Sequence, residues 1–214
     1  MLPLMFRHVP WIACVLVLAC FSGGHADVTS TFDLDSENWT AVDYPFRSYV
    51  EAPSTSDLPH DGTFGNPAGS VRLGDVYSET GVSAPSQYLG DKSGCYGFSL
   101  TYDIYLRYTD DLTYPAVVLN GGSMSVYYDA PSPPLNEWAT RVVPLEESGW
   151  RISGSMAPAS QAQFQQVLGS VAGIYIYTEW AAGPDDTNVD NVILAGDTPV
   201  ESQSWSAIKA LYRH

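Results

Sequence analysis

Hydrophobic and polar residues alternate with a period of two along much of this chain, the pattern of half-buried β-strands. Residues 98–108 show it most cleanly. Leu100, Tyr102, Ile104, Leu106 and Tyr108 fall on one face, and Ser99, Thr101, Asp103, Tyr105 and Arg107 on the other. Residues 116–120 read as a short buried strand. Residues 123–128, with Met124, Val126 and Tyr128 on one side, read as its hairpin partner across Asn120-Gly121-Gly122. Further strands are expected at 137–145, where Pro144 suits an edge or a strand end, at 173–180 and at 189–194. Within 173–180, Ile174, Ile176, Thr178 and Trp180 oppose Tyr175, Tyr177 and Glu179. The stretch 43–75 has little period and much Pro, Gly, Ser and Asp, so long loops are expected there, with one short strand at 70–73.

The period changes to 3.6 in one interior segment. Phe164, Val167, Leu168 and Val171 recur at helical spacing behind Ser160 and Gln163, which stand as in a capping box. A helix is expected over about 160–170, packed on an edge or end of the sheets. Near the C-terminus Ser204 heads a second apolar stripe of Trp205, Ile208, Leu211 and Tyr212, with Lys209 and Arg213 toward its end. So short a helix does not hold alone in water; this tail either docks on its own domain or serves as a recognition tag. Many short strands between Gly, Pro and Asp turns predict an all-β fold. The form expected is an antiparallel jelly-roll-like β-sandwich with that one helix and the helical tail.

The first 26 residues read differently. Arg7 and His8 precede the apolar run 11–21, and Gly24-His25-Ala26 places small residues at a cleavage point. The run falls short of the ~20 apolar residues that a spanning helix needs, so a secretory signal is expected, with Asp27 opening the mature chain. An uncleaved anchor and a lipoprotein acylated at Cys20 are the alternatives. The expected organisation is a signal peptide at 1–26, a sandwich domain at 27–196 and a tail at 197–214. The product would be secreted or held at the cell surface, with no transmembrane segment in the mature chain.

Composition narrows the chemistry. The chain has 24 acids against nine Lys and Arg, a net charge of −15, and loss of a leader holding Arg7 and no acid takes it to −16. That balance argues against a nucleic acid partner, since phosphate binding needs a basic footprint. Past the leader, Cys95, His60 and His214 are what remain of cysteine and histidine. An internal disulfide and a zinc site of several His or Cys ligands are therefore excluded, and no serine lies in a nucleophile-elbow motif. Cys95 reads as a small packing residue, because no activating base stands near it in sequence. No catalytic residue is assigned. Paired carboxylates are available by number, yet nothing fixes the separation a glycosidase pair needs.

Two residue groups remain as candidates for binding. Hard cations take oxygen ligands, and acids cluster at Asp33-Leu34-Asp35-Ser36-Glu37 and again over 185–191. If the first and last strands pair, these clusters meet, with Asp33 and Asp190 as candidate ligands of a structural Ca2+ ion. Turn-forming, solvating loops are the alternative. Tyr105, Tyr127, Tyr175 and Tyr177 fall on the less apolar faces of their strands. Uncovered, Tyr175 and Tyr177 would form a ligand-binding platform for a sugar; covered, they are core.

Residues 83–100, Ser-Ala-Pro-Ser-Gln-Tyr-Leu-Gly-Asp-Lys-Ser-Gly-Cys-Tyr-Gly-Phe-Ser-Leu, resemble the opening of a laminin B domain, also called laminin domain IV. The resemblance continues in order through 116–122, Trp138 with Val143-Pro144-Leu145, Gly149-Trp150, Phe164 with Val167-Leu168, and Val189-Asp190-Asn191-Val192-Ile193-Leu194. It covers about 75–195, and Phe32-Asp33 with Asn38-Trp39 is similar to the first strand of such exported sandwiches. The resemblance implies a jelly-roll-like sandwich shaped like carbohydrate-binding modules, an extracellular setting and no catalytic residues. It carries no binding residues onto this sequence. No cysteine-rich EGF-like sequence flanks the match, so a free-standing copy behind a bacterial-looking leader is expected. The function expected is a secreted, non-enzymatic binding or adhesion module of extracellular-matrix type, with a glycan or protein as its partner. A polysaccharide-binding module and a structural surface or matrix component are the alternatives.

Overall fold

The alternation at 98–108 becomes a strand over Ser99–Leu106 in the computed structural model, which describes residues 27–111 and 113–196. Leu100, Tyr102, Ile104 and Leu106 are fully buried, while Tyr108 lies beyond the strand end and is exposed. Numbered in chain order, the first sheet holds β1 (Val28–Ser30), β4 (His60–Asp61), β5 (Ser70–Gly74), β7 (Ser99–Leu106), β10 (Trp138–Pro144) and β13 (Asp186–Leu194). The second holds β2 (Thr40–Asp43), β3 (Ser54–Asp57), β6 (Thr80–Ser83), β8 (Tyr114–Asn120), β9 (Ser125–Ala130), β11 (Trp150–Ile152) and β12 (Gly173–Tyr177).

The first sheet runs β10-β7-β13-β5-β4, with β1 also paired to β13, and the second runs β11-β9-β8-β12-β6-β2-β3. Their strand pairings are antiparallel. The expected hairpin forms between β8 and β9, and β10 is an edge strand, as its proline suggested. The first and last described strands pair, Val28 opposite Leu194. The expected all-β sandwich is thus the fold.

The short strand expected at 70–73 is β5, but the rest of the stretch 43–75 departs from the expectation, since β3 and β4 also lie within it. Strands of four and two residues, one of them (Ser-Thr-Ser-Asp) wholly exposed, are too short to show a period. The segment around Phe32 and Trp39 is a turn between β1 and β2 rather than a strand. Phe32, Glu37 and Asn38 have positive φ there, and the two rings meet edge to face inside the core at 5.8 Å.

The core lies between the sheets. Leu100, Tyr102, Ile104, Val71 and Val189 come from one side and Val82, Val117, Leu119, Ile174 and Ile176 from the other. Three buried tryptophans extend it, and two find partners for their ring N–H: Trp39 donates to Ser30 Oγ (3.0 Å) and Trp150 to the Pro144 carbonyl (2.8 Å). Fully burying one large apolar side chain contributes roughly 1.5–3 kcal/mol, and this core is built without a cross-link. Cys95 is buried and free, its thiol pKa raised by burial, as suits a packing residue.

Helix α1 (Gln161–Leu168) begins where the capping box predicts. Ser160 Oγ accepts from Gln163 N–H, and the Gln163 side chain accepts from Ser160 N–H at 3.0 Å. Phe164, Val167 and Leu168 are buried, Phe164 against Trp150 at 5.1 Å. The helix approaches the β8–β9 turn so closely that a Cβ on Gly121 would sit 2.8 Å from Val167 Cα, which is why the turn needs glycine there. The expected signal peptide and C-terminal helical tail lie outside the described residues.

Ser160→Ala removes the cap of this helix and is expected to lower stability by about 1 kcal/mol. A lower urea midpoint at unchanged slope would show it; an unshifted midpoint would mean that packing alone holds the helix.

Candidate functional site

Each sheet has an outer face, and the chain treats the two differently. On the second sheet Val42, Val118, Tyr127, Tyr175 and Tyr177 point away from the main core and form a second buried cluster with Tyr44, Phe46 and Val50. The segment after β2 closes over them. Tyr44 stacks on Tyr175 at 4.4 Å, and Phe46 meets Tyr127 and Tyr177 edge on at 5.1 and 5.8 Å. The Tyr177 hydroxyl donates to the Tyr44 carbonyl, and Phe46 N–H donates to that hydroxyl (3.0 Å) and to Glu79 Oε2 (2.9 Å). Burial raises both tyrosine pKa values. Tyr175 and Tyr177, the platform candidates from sequence, are therefore brought together but are only 3% and 2% exposed, under Tyr44 and Phe46 rather than facing solvent.

At the rim of that cover lies a cleft of about 320 Å³, lined by Phe46, Arg47, Glu79, Tyr114, Tyr177 and Glu179 among others. Thr80 N–H donates to Glu179 Oε2 (3.0 Å), fixing this carboxylate, two residues past the end of β12, to the start of β6. Burial, then the charges of Asp185 and Asp75, pushes Glu179 up to about 7. Asp185, which accepts from Trp180 N–H (2.9 Å), is pushed up to about 6, again by burial first. Its Oδ2 is buried without a hydrogen-bond partner.

On the first sheet the outer face is polar in its middle and aromatic at one end. Asp103 on β7 and Asp190 on β13 are direct cross-strand partners and both are buried. Asn66 N–H (2.7 Å) and Asn191 N–H (2.7 Å) donate to Asp190. Asn66 Nδ2 (3.1 Å), Asn191 Nδ2 (2.9 Å) and Thr140 Oγ1 (2.6 Å) donate to Asp103. Burial and the charges of Asp103 and Asp33 raise the Asp190 pKa. Asp33, the other metal candidate, is close enough to act through charge, while its own Oδ2 accepts from Thr31 Oγ1 at 3.0 Å. Among the described residues no three Asp, Glu, His or Cys side chains converge as a metal centre would. His60 is structural, its Nε2–H donating to the Phe32 carbonyl at 2.7 Å.

The segment that brings Asn66 also brings Phe64. Its ring lies 4.8 Å from Tyr105 and 5.5 Å from Trp138, the Cα partner of Tyr105 on β10. All three rings are part-exposed. The Arg107 guanidinium lies over Phe64 and Tyr105 at 5.2 and 4.9 Å and donates to Asn188 Oδ1 (2.7 Å) and Asp186 Oδ1 (3.1 Å). Arg72 binds Asp186 with both Nε and Nη2, at 2.9 and 2.7 Å, and holds the Asp186 carboxyl below its usual range. Part-exposed rings beside fixed hydrogen-bonding groups are the makings of a recognition surface for a ligand with apolar faces and polar edges. Sequence reasoning placed Tyr105 and Arg107 on this face but missed Phe64 and Trp138. The alternation of Trp138, Thr140 and Val142 could have placed Trp138 there, whereas Phe64 sits in an aperiodic loop that carries no such signal.

A family model, Laminin B (Domain IV), matches residues 82–208, more than half of the chain. Among solved structures, the L4b domain of human laminin alpha-2 superposes with a TM-score of 0.62 at 16% identity, covering 79% of this chain and 96% of that one. A family 30 carbohydrate-binding module of a Clostridium thermocellum cellulosomal cellulase gives a TM-score of 0.46 at 14% identity over 81% and 100% of the two chains. A family 11 module from a cellulase of the same organism gives 0.43 at 14% over 82% and 91%. The laminin likeness establishes a shared fold; the two weaker ones carry no argument. No helix among the described residues is long and apolar enough to cross a membrane.

Stability should fall as pH rises through the neutral range. Glu179 and Asp185 hold protons in the folded state that the unfolded chain has already released, so folding is favoured at pH 5 and disfavoured at pH 8. Asp61, Asp186 and Glu147, whose pKa values are lowered, titrate below this window and do not oppose it. The melting temperature is expected to be higher at pH 5 than at pH 8, with the slope reduced in Glu179→Gln and Asp185→Asn. An equal slope in both variants would show that these two groups are not its source.

Proposed function

The chain belongs to the laminin B (domain IV) family, and from that membership we propose that it is a secreted, non-catalytic binding module for an extracellular glycan. The observation that carries this reading is the Phe64–Tyr105–Trp138 group on the outer face of the first sheet. It has Arg107, Arg72, Asp186 and Asn188 along one side. A pyranose ring has apolar C–H faces that pack on aromatic rings and hydroxyl edges that both donate and accept. The bonded arginine and carboxylate groups supply partners for those edges, held in place by one another and, for Arg107, by the buried Asn188 amide. The other aromatic face lacks this accessibility because Tyr44 and Phe46 already occupy it.

Trp138→Ala is expected to weaken glycan binding by about tenfold, the order of one aromatic contact, with little loss of stability from so part-exposed a ring. Tyr175→Ala is expected to act through folding, costing roughly 3–5 kcal/mol as buried aromatic truncations do. Glycan-array binding followed by affinity measurements on the two variants tests this. A blank array, or full affinity in Trp138→Ala, would overturn the assignment.

A structural Ca2+ ion is proposed with it, on Asp190 and Asp33. Support comes from the pairing of the first and last strands and from the reach of the Asp33 charge to Asp190. The donors are hard oxygens of the right kind, although both Asp190 oxygens already accept backbone N–H groups. Chelation is expected to lower the melting temperature and added calcium to restore it. A melting temperature unmoved by chelator would reject the ion.

A further inference from the structure

The cleft at the rim of the second sheet has a chemistry that the glycan reading does not use. Its walls are aromatic, from Phe46, Tyr114 and Tyr177, and its charged groups are mostly acidic, Glu79 and Glu179 against Arg47. Each carboxylate is pinned by one backbone donor, Phe46 N–H to Glu79 Oε2 and Thr80 N–H to Glu179 Oε2, and neither Oε1 has a hydrogen-bond partner among the described residues. Arg47 does not neutralise them. It stacks on the Phe46 ring at 4.5 Å and is ion-paired with neither. Behind Glu179 stand Asp185 and Asp75, and Tyr114 donates its hydroxyl to Asp110 at 2.6 Å, so the field at that end of the sandwich is negative.

We propose that this cleft receives the ammonium group of a lysine side chain on a polypeptide partner. A monovalent organic cation matches the surroundings on three counts. Its charge meets carboxylates that have no cationic partner of their own. Its C–H surface packs on the part-exposed Tyr114 ring, where cation–π attraction contributes. Its donors reach the uncommitted carboxylate oxygens. A divalent metal ion matches them poorly, since it wants several oxygen ligands converging on one point, and the cleft offers two carboxylates, Glu79 and Glu179, from separate segments. The cavity, about 320 Å³, holds an extended lysine side chain with room to spare. The proposal is independent of the glycan reading, being set on the opposite sheet, so either can fail without the other.

The protonation of Glu179 supplies a second readout. It is faced by Glu79 ahead of β6, Arg47 after β2, Tyr114 on β8, Tyr177 at the end of β12, and Asp75 and Asp185 nearby. With its carboxyl pushed up to about 7 by burial and these charges, binding of a cation near neutral pH must release a proton.

The test is titration of ¹⁵N-labelled protein with a capped pentapeptide, Gly-Gly-Lys-Gly-Gly, and with the same peptide acetylated on the lysine. Saturable shifts at the amides of Phe46, Glu79 and Glu179 are expected with the first peptide and none with the second. Affinity should fall at least fivefold from pH 8 to pH 6. In Glu179→Gln, which keeps an acceptor for Thr80 N–H, it should fall about tenfold, while Glu146→Gln, an equal charge change outside the cleft, should leave it unaltered. An unchanged amide spectrum elsewhere would confirm that the Glu179→Gln variant is folded. Absent shifts, equal binding of the acetylated peptide, equal losses in both variants, or the same shifts produced by calcium alone would each overturn the proposal.

Discussion

Asp103 and Asp190 stand directly opposite each other on adjacent strands, buried, and the first sheet depends on how that conflict is resolved. Like charges at cross-strand positions repel, and a carboxylate withdrawn from water is costly unless its oxygens are hydrogen-bonded. Five donors satisfy the pair, and two of them come from one residue, Asn66, through its backbone and its side-chain amide. Asn191 supplies two more from the point where the β13 register shifts, its positive φ turning its amide toward Asp103. The 61–69 segment is thereby obliged to cross the outer face of β7 and β13. Where it crosses, Phe64 comes down beside Tyr105 and Trp138. The aromatic group is thus a consequence of a polar requirement two residues away.

The second sheet reaches the opposite outcome by the opposite means. Its outward positions are apolar or aromatic, and an apolar face in water is covered if any chain can reach it. The segment after β2 does so, contributing Tyr44, Phe46 and Val50 and anchoring itself through the Tyr177 hydroxyl. Hydrogen bonds decide the cover on one sheet and apolar burial decides it on the other. That difference leaves the first sheet with part-exposed rings beside polar groups and the second with a sealed layer and a cleft at its rim.

The two sheets were legible in the sequence to a similar extent. Strands β5, β7, β8, β9, β10, β12 and β13 were legible because each spans five or more residues, long enough for a two-residue period to show. Helix α1 was legible from Ser160 and Gln163, whose reciprocal bonds form as their spacing predicts. The alternation also separated Ile174 and Ile176 from Tyr175 and Tyr177, which do face opposite layers. It could not say that a distant segment covers the second pair, because Tyr44 and Phe46 lie in a stretch whose structure is set by what it packs on. The same holds for Phe64 and Asn66. Their positions follow from the two aspartates they serve, and that pairing is long-range, 37 and 124 residues from Asn66.

Electrostatics gives the acid surplus a local meaning. Among the described residues every arginine and lysine has its own engagement. Arg72 and Arg107 hold Asp186, and Arg151 lies 3.7 Å from Asp129. Lys92 donates to the Gln87 carbonyl, Arg141 to that of Pro131, and Arg47 rests on Phe46. Exposed acids such as Asp35 and Asp57 need no partner, since water solvates them. Glu179 and Asp185 are different, being withdrawn from water and set near further acids, with raised pKa values as the result. Such an arrangement costs stability at neutral pH, and nothing in the packing of the sandwich requires it: neutral glutamine and asparagine would accept the same backbone N–H groups. At Glu179, which lines the cleft, a carboxylate where an amide would accept the same N–H group is accounted for by a cation that arrives from outside.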